Sequence, residues 1–365
     1  MTPDPASPLP LSVLDLVPFV EGGSSTAAVQ GAATLARAVD RLGYTRLWYA
    51  EHHNMPGIAT TTPEILIAHV APLTTHIRLG AGGVMLPNHS ALKVAESYRL
   101  LEALHPGRID LGIGRAPGTD GRTALALRRA RHGVGAEDFL EQLGELMAWG
   151  GATTFPAGHP FGAVRAMPDD RPLPDIWLLG SSDYGANVAA RLGLGFAFAG
   201  HFSQDPPEVP MRSYRAGFTP SGHRATPHAI LALSVFCADT DEAAQRMASS
   251  MQLSFVQLRA GRPGRLPHPD VALAHTFSPD ERAIVDFFTH LRICGTPEYV
   301  RSRIEDAAAR SEADEIMLVT HAFEQEARIR SYELVAEAFG LPGEPPPSPL
   351  IDDTAGVLLG GRGSP

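Results

Sequence analysis

The sequence predicts a (β/α)8 barrel, a closed parallel β-sheet whose strands alternate with helices. Eight short apolar segments, separated by segments with helical periodicity, support this prediction. None of the eight alternates cleanly between apolar and polar residues, which is typical of strands that are buried on both faces. The number of strands favours a closed barrel over the alternative, a doubly wound open sheet.

The predicted strands and helices follow one another along most of the chain. In 26–42 apolar residues recur at spacings of three and four, and Gly43 follows as a stop signal. In 296–309, Thr296 is the expected N-cap and Pro297 the first helical residue. The predicted strands are 11–18, 45–50, 77–86, 109–114, 175–180, 195–199, 229–237 and 315–319.

The chain is predicted to form one domain, residues 11–342, between two flexible tails. Residues 1–10 are rich in proline, and residues 343–365 are rich in proline and glycine, so neither has the apolar content to pack. Two segments, 151–172 and 239–292, are longer than a simple strand–helix connection requires. In a barrel such insertions are expected at the catalytic face, as lids or pocket walls.

Composition narrows the functional classes. The 365 residues include 30 Lys+Arg and 40 Asp+Glu, a formal net charge of −10, which argues against a nucleic-acid-binding protein or a basic membrane-surface protein. The two cysteines, Cys237 and Cys294, lie in apolar surroundings and are expected to be buried thiols. No segment has the roughly 20 apolar residues of a membrane span, and no signal peptide is recognised, so a cytoplasmic protein is expected.

Histidines follow the second predicted strand. Glu51, His52 and His53 lie at its carboxyl end, where barrel enzymes place their catalytic residues. Since neighbouring residues point in opposite directions, one histidine is expected to face the site, and His52 is favoured as a general base over a structural role. The sequence has no HExxH motif or other ligand cluster, so no metal site is predicted.

Glycines lie in the third and fourth predicted strands, and an arginine follows the fourth. Gly82 and Gly83 would allow a flat ring to approach the main chain, although packing against a helix explains them equally well. Gly112, Gly114 and Gly118 do not have the dinucleotide-binding spacing. Arg115, among these glycines, is better suited to binding a phosphate, with a solvated surface arginine as the alternative.

The fifth and sixth predicted strands add further candidates. Gly180, Ser181 and Ser182 lie between a strand and a helix, where free backbone N–H groups and the helix dipole can bind a phosphate; Ser182 could equally be only an N-cap. His201 and Phe202 closely follow the sixth strand and are candidates for the wall of a substrate pocket, together with His53.

These motifs together resemble the bacterial luciferase-like flavin monooxygenase family, in particular its single-chain, non-luminescent members. The resemblance implies an FMN-binding TIM barrel in which His52 is the catalytic base and Glu51 lies beside the flavin. It also implies a non-proline cis peptide bond between Gly82 and Gly83, under the flavin ring. The matching segments are 48–66, 77–96, 101–120, 177–193 and 294–300.

The resemblance implies further site residues and one departure. Arg115 and Ser181 match the phosphate ligands of the family. Tyr184 stands where the family often has a small hydroxyl residue, and could still donate one hydrogen bond. Gly200 and His201 replace a tryptophan of the light-emitting members, so luminescence is not expected.

The activity that the resemblance implies is a two-component monooxygenation. A separate flavin reductase supplies reduced FMN, and the barrel uses dioxygen to insert one oxygen atom into a small organic substrate. A homodimer through helices 62–75 and 89–104 is also implied. Three alternatives stay open: a deazaflavin-dependent hydride-transfer enzyme, a non-catalytic flavin-binding protein, and a sugar-phosphate isomerase or aldolase. An isomerase or aldolase would need a suitably placed lysine or carboxylate pair, and the sequence shows neither.

Overall fold

The computed structural model describes residues 9–128, 138–203 and 205–343. The predicted tails, 1–10 and 343–365, lie outside these ranges except for residues 9, 10 and 343. Across the described ranges, no helix combines the length and apolar character that crossing a membrane requires.

Eight parallel strands close into a barrel, which confirms the predicted (β/α)8 fold. In chain order, β1 to β7 pair with their neighbours, β9 pairs with both β7 and β1, and β6 pairs with β7. The strands are β1 (Leu11–Asp15), β2 (Arg46–Tyr49), β3 (Arg78–Met85), β4 (Ile109–Gly114), β5 (Asp175–Gly180), β6 (Gly195–Ala199), β7 (Ala229–Cys237), β8 (Ile293–Gly295) and β9 (Glu315–Val319).

Helices separate the strands and pack on the outside of the barrel. The first begins after Ser24, whose hydroxyl accepts a hydrogen bond from the Ala27 amide at 3.1 Å, and Gly43 follows it at a φ of +81°. The helices are α1 (Ser25–Arg41), α2 (Pro63–Val70), α3 (Ala91–Leu104), α4 (Gly121–Arg128), α5 (Phe139–Trp149), α6 (Asp183–Leu192), α7 (Glu208–Ala216), α8 (Asp241–Arg259), α9 (Pro269–Ala274), α10 (Pro279–Thr289), α11 (Pro297–Ser311) and α12 (Gln325–Phe339).

Strand β8 is not among the eight predicted strands. It is only three residues long and pairs with Val235–Cys237, the part of β7 that extends beyond its pairing with β9. The chain between these two strands, residues 239–292, contains α8, α9 and α10. This predicted insertion therefore leaves the barrel at the carboxyl end of β7 and returns beside it.

A buried ionic cluster fills the amino-terminal end of the barrel. Arg46 donates hydrogen bonds to Asp110 at 2.8 Å and to Glu315 at 2.7 Å, and Arg78 contacts Asp110 at 2.6 Å. Burial alone would raise the pKa of Glu315, but the positive charge of Arg46 outweighs it and lowers the pKa to about 2. Ser12 also donates a hydrogen bond to Glu315. The sequence analysis did not predict this cluster.

Candidate active site

Two adjoining cavities open at the carboxyl ends of the barrel strands. Their volumes are about 370 Å³ and about 330 Å³, within the usual range for sites that bind small molecules. The first lies over the barrel interior, and the second lies beneath α8 and α10. Residues that line both are Leu16, His52, Met55, His201 and Phe202. The two cavities therefore meet at His52 and His201.

The floor of the first cavity is apolar and requires a glycine. It includes Leu14, Trp48 and Gly82. A Cβ atom on Gly82 would lie 2.7 Å from Leu14 Cδ1, so no larger residue fits without displacing the floor. The peptide bond between Gly82 and Gly83 is cis, as the resemblance implies. Gly83 itself does not line the cavity; a Cβ there would approach the Gly112 carbonyl oxygen to 2.9 Å.

The outer end of the first cavity is suited to an anion. Gly180, Ser181 and Ser182 line it where β5 passes into α6, and the Ser182 side chain does not cap the helix. The first N–H groups of α6 are thus available, and the helix dipole favours negative charge there. The exposed Arg115 guanidinium stacks on the Tyr184 ring, 4.1 Å from its centroid, which brings its charge to this helix end.

His52 lies between the cavities in a fixed orientation. Its backbone N–H donates to the Thr60 carbonyl at 3.0 Å, and its Nδ1 lies 3.1 Å from the Gly118 carbonyl oxygen. Since a carbonyl only accepts, Nδ1 carries the proton of the neutral ring and Nε2 carries the lone pair. Burial lowers the pKa of His52, so the ring stays neutral at physiological pH. Neutral Nε2 can accept a proton from a bound molecule.

Glu51 and His53 do not line either cavity. The Glu51 carboxylate is 1% exposed and accepts hydrogen bonds from His53 at 2.9 Å, His89 at 2.8 Å and the Met85 amide at 3.0 Å. Burial alone would raise its pKa, but these hydrogen bonds outweigh it and lower the pKa to about 2. The ionised carboxylate therefore holds the end of β3 against the loop that carries His52.

Glu51, His53 and His89 also form a group with metal-ligand character. Their ligand atoms all lie within 4.8 Å of one another. His89, 36 residues beyond His53, was not predicted as part of any site, because nothing in the spacing links it to the second strand. The hydrogen bonds to Glu51 account for this arrangement with both imidazoles acting as donors.

His201 and Phe202 lie where the sequence analysis predicts a pocket wall. Their rings meet edge to face with centroids 4.7 Å apart, and both residues line both cavities. His321, which sequence reasoning missed, lines the second cavity. It follows β9 by two residues, so the rule that selected histidines after strands would have found it. Burial lowers the pKa of His201 and of His321 to about 3 each.

The two predicted insertions have different positions. The segment 239–292 covers the second cavity, and its lining residues are Met251, Ser254, Phe255, Leu258, Pro263, Gly264 and Phe288. The segment 151–172 lines neither cavity. Its Ala166 carbonyl accepts a hydrogen bond from Arg99 on α3, and its Phe155 packs on Trp149 of α5. Because it connects a helix to the following strand, it does not share the catalytic face with 239–292.

Comparison with known proteins agrees with the resemblance. Residues 11–315 match the sequence profile described as "Luciferase-like monooxygenase". An Escherichia coli protein named luciferase-like monooxygenase is 42% identical over 326 residues, 89% of this chain and 96% of its own. The N-acetyl-S-alkylcysteine monooxygenase of Bacillus subtilis is 35% identical over 330 residues, 90% of this chain and 97% of its own.

Solved structures agree as well. The apo form of MsnO8 superposes with a TM-score of 0.83 at 39% identity, over 92% of this chain and 98% of that one. A second structure shares the fold at 19% identity: the oxygenating constituent of 3,6-diketocamphane monooxygenase from Pseudomonas putida, in complex with FMN. It superposes with a TM-score of 0.67, over 91% of this chain and 98% of that one. The chain belongs to the luciferase-like monooxygenase family.

Proposed function

We propose that the protein binds FMN in the first cavity and uses it to insert one oxygen atom from dioxygen into a substrate held in the second. The observation that carries this proposal is the junction of the two cavities at His52. A cofactor and a substrate placed in them would meet at a neutral imidazole with a free lone pair. Family membership supports an oxygenase, and the FMN complex of 3,6-diketocamphane monooxygenase supports a flavin.

The residues of the first cavity fit FMN. Leu14, Trp48 and Gly82 give the cavity an apolar floor on which a flat ring would pack. At the outer end, the α6 N-terminus, Ser181 and Arg115 would hold the phosphate. When bound, the flavin supplies the chemistry with dioxygen; the apolar floor excludes water from the reacting face, and His52 holds or moves the proton at its Nε2.

We further propose that a separate flavin reductase supplies the reduced FMN. We also propose that the protein works in the cytoplasm. Arg115 is exposed and Tyr184 is 39% exposed, so the phosphate end of the cavity opens to solvent. An open end suits a cofactor that enters and leaves during turnover. The resemblance to two-component monooxygenases supports the same arrangement.

Dioxygen consumption tests the proposed activity. The protein is mixed with FMN, a flavin reductase and NADH, and aldehydes, ketones and aromatic polyketides are screened for uptake coupled to an oxygenated product. The expected result is product formation that requires both the protein and the substrate. Hydride transfer to or from a deazaflavin without oxygen uptake, or flavin binding with no turnover on any substrate, would contradict the proposal. For the deazaflavin alternative, the structural comparison gives no more than a shared fold. An F420-dependent secondary alcohol dehydrogenase superposes with a TM-score of 0.63 at 12% identity, over 91% of this chain and 99% of that one.

Replacing Arg115 with alanine tests the phosphate contact. We expect the affinity for FMN to fall by about 10- to 100-fold, the loss typical of a hydrogen bond to a charged group, while riboflavin binding is unchanged. Fluorescence titration of each flavin measures this. Arg122→Ala, an exposed arginine on α4 that does not line the cavity, is the matched control. Equal losses for FMN and riboflavin would argue against the contact.

We also propose a homodimer formed through α2 and α3. Three large apolar side chains are exposed on these helices: Ile65 at 66%, Leu100 at 53% and Leu104 at 60%. The double variant Leu100→Glu/Leu104→Glu should sediment as a monomer. The control is Leu273→Glu, which changes a leucine of α9 that is 56% exposed and should sediment as a dimer like the unmodified protein. A monomer before any substitution would refute the proposed interface.

A further inference from the structure

The second cavity is largely apolar, and no permanently charged side chain lines it among the described residues. Apart from His52, His201 and His321, none of the described residues that line it is ionisable. Its wall includes Phe202 and the segment 239–292. Since a buried ionised group needs a charged or strongly hydrogen-bonding partner, this cavity suits an uncharged molecule. Its wall residues also favour one with flat or apolar surfaces.

Two of the three histidines, His201 and His321, make no hydrogen bond from either ring nitrogen to any described residue. Nδ1 of His201 and Nδ1 of His321 are buried and have no partner among the described residues. Their Nε2 atoms are not among the buried atoms and make no hydrogen bond within the described ranges, although both side chains line the cavity. A buried N–H without an acceptor is rarer in proteins than an unused acceptor. The neutral rings therefore carry the proton on Nε2, facing the cavity.

His52 has the opposite arrangement. Its Nδ1–H is used by the Gly118 carbonyl, so its Nε2 is an acceptor. The cavity thus presents two donors, from His201 and His321, and one acceptor, from His52. A carbonyl oxygen has two lone pairs and no hydrogen, which matches two donors, whereas a hydroxyl would place its own hydrogen among them.

We propose that His201 and His321 are specificity-determining residues that donate hydrogen bonds from Nε2 to a carbonyl oxygen of an uncharged, largely apolar substrate. The proposal rests on the proposed function, because it takes the second cavity as the substrate site. It assigns the substrate to the ketones, aldehydes and related neutral carbonyl compounds. A carboxylate is disfavoured, because none of the described residues that line the cavity carries a permanent positive charge.

Binding of matched probes tests this assignment without requiring turnover. The affinities of 1-tetralone, of tetralin, which lacks the carbonyl oxygen, and of tetralin-1-carboxylate are measured by calorimetry with the FMN-loaded protein. The quantity of interest is the ratio of the tetralin Kd to the tetralone Kd. We expect His201→Phe and His321→Phe each to lower this ratio by about 3- to 10-fold, the loss of one neutral hydrogen bond. The carboxylate should bind more weakly than the ketone.

Two further measurements separate a specific role from a structural one. His201→Gln and His321→Gln keep an N–H donor, so the ratio of the tetralin Kd to the tetralone Kd should return most of the way from its value in the Phe variants to that of the unmodified protein. If the histidines only packed against the substrate, this difference between Gln and Phe would not be expected. In the unmodified protein, the infrared carbonyl stretch of ¹³C-labelled tetralone should move to lower wavenumber than in hexane, which is a test independent of any variant.

The outcomes distinguish this proposal from the proposed activity. A ratio unchanged in both Phe variants, an unshifted carbonyl stretch, or no binding of either neutral probe to the unmodified protein would overturn the carbonyl assignment. Probe binding that behaves as expected, without dioxygen uptake on any carbonyl substrate, would instead contradict the monooxygenase function and leave the binding site in place.

Discussion

Replacing His52 with alanine is expected to lower the rate of substrate oxygenation by about 10²- to 10⁴-fold, the range for losing a general base. The affinity for FMN should change only a few-fold, because His52 lies where the two cavities meet and is not one of the residues proposed to hold the phosphate. Rapid-mixing measurements with pre-reduced FMN separate the two effects, since flavin binding and product formation are followed independently. The expected loss of rate depends on one atom. Because Nδ1 of His52 is bonded to the Gly118 carbonyl, Nε2 carries the lone pair that can accept a proton where the cavities meet.

Two controls make the His52 result specific. His290→Ala removes an exposed histidine at the end of α10 and should leave the rate unchanged. Added imidazole should restore part of the rate to His52→Ala, because the deleted side chain leaves space at the junction of the cavities. An undiminished rate in His52→Ala would remove this residue from the mechanism.

Replacing Asp110 with asparagine is expected to lower the free energy of unfolding by about 3–5 kcal/mol. The substitution removes the buried carboxylate that pairs with both Arg46 and Arg78, and removing one partner of a buried ion pair has this cost. Denaturant unfolding at neutral pH measures the loss. Asp175→Asn is the matched control: Asp175 contacts Arg78 and Arg224 but is 45% exposed, so its loss should cost less than about 1 kcal/mol. Equal losses at both positions would contradict the role assigned to the buried cluster.

Acid should weaken the same cluster through Glu315. Its pKa in the folded protein is about 2, below the value of about 4.3 expected in the unfolded chain. Stability from this carboxylate is therefore complete above about pH 4.3 and is lost as the pH falls toward 2. Glu315→Gln should flatten the dependence of unfolding free energy on pH within that window, and an unchanged slope would contradict the assignment.

The barrel could be predicted because its strands are buried on both faces. The largely apolar segments 109–114 and 195–199 coincide with β4 and β6, and α1 lies within one residue of its predicted start and end. Strand β8 escaped prediction since three residues are too few for a periodic pattern. The ionic cluster escaped it as well, because Arg46, Asp110 and Glu315 lie on strands far apart in sequence and meet only when the barrel closes.

The candidate site was predictable to the extent that it follows strand ends. His52, Arg115, Ser181 and His201 all line the first cavity, as the position of each after a strand suggests. That rule cannot tell which way neighbouring side chains point. Glu51 and His53 accordingly lie behind the cavity wall, where their partner His89 comes from a different loop.

The insertion 239–292, between β7 and β8, separates two parts of the site that can evolve independently. Its residues line one wall of the second cavity, whereas the floor of the first cavity, with Leu14, Trp48 and Gly82, belongs to the barrel strands. On the proposed function, mutations confined to residues 239–292 would therefore change which substrates bind and would leave the proposed FMN site intact. On the same proposal, grafting this segment from one relative onto the barrel of another would transfer substrate preference and keep FMN binding.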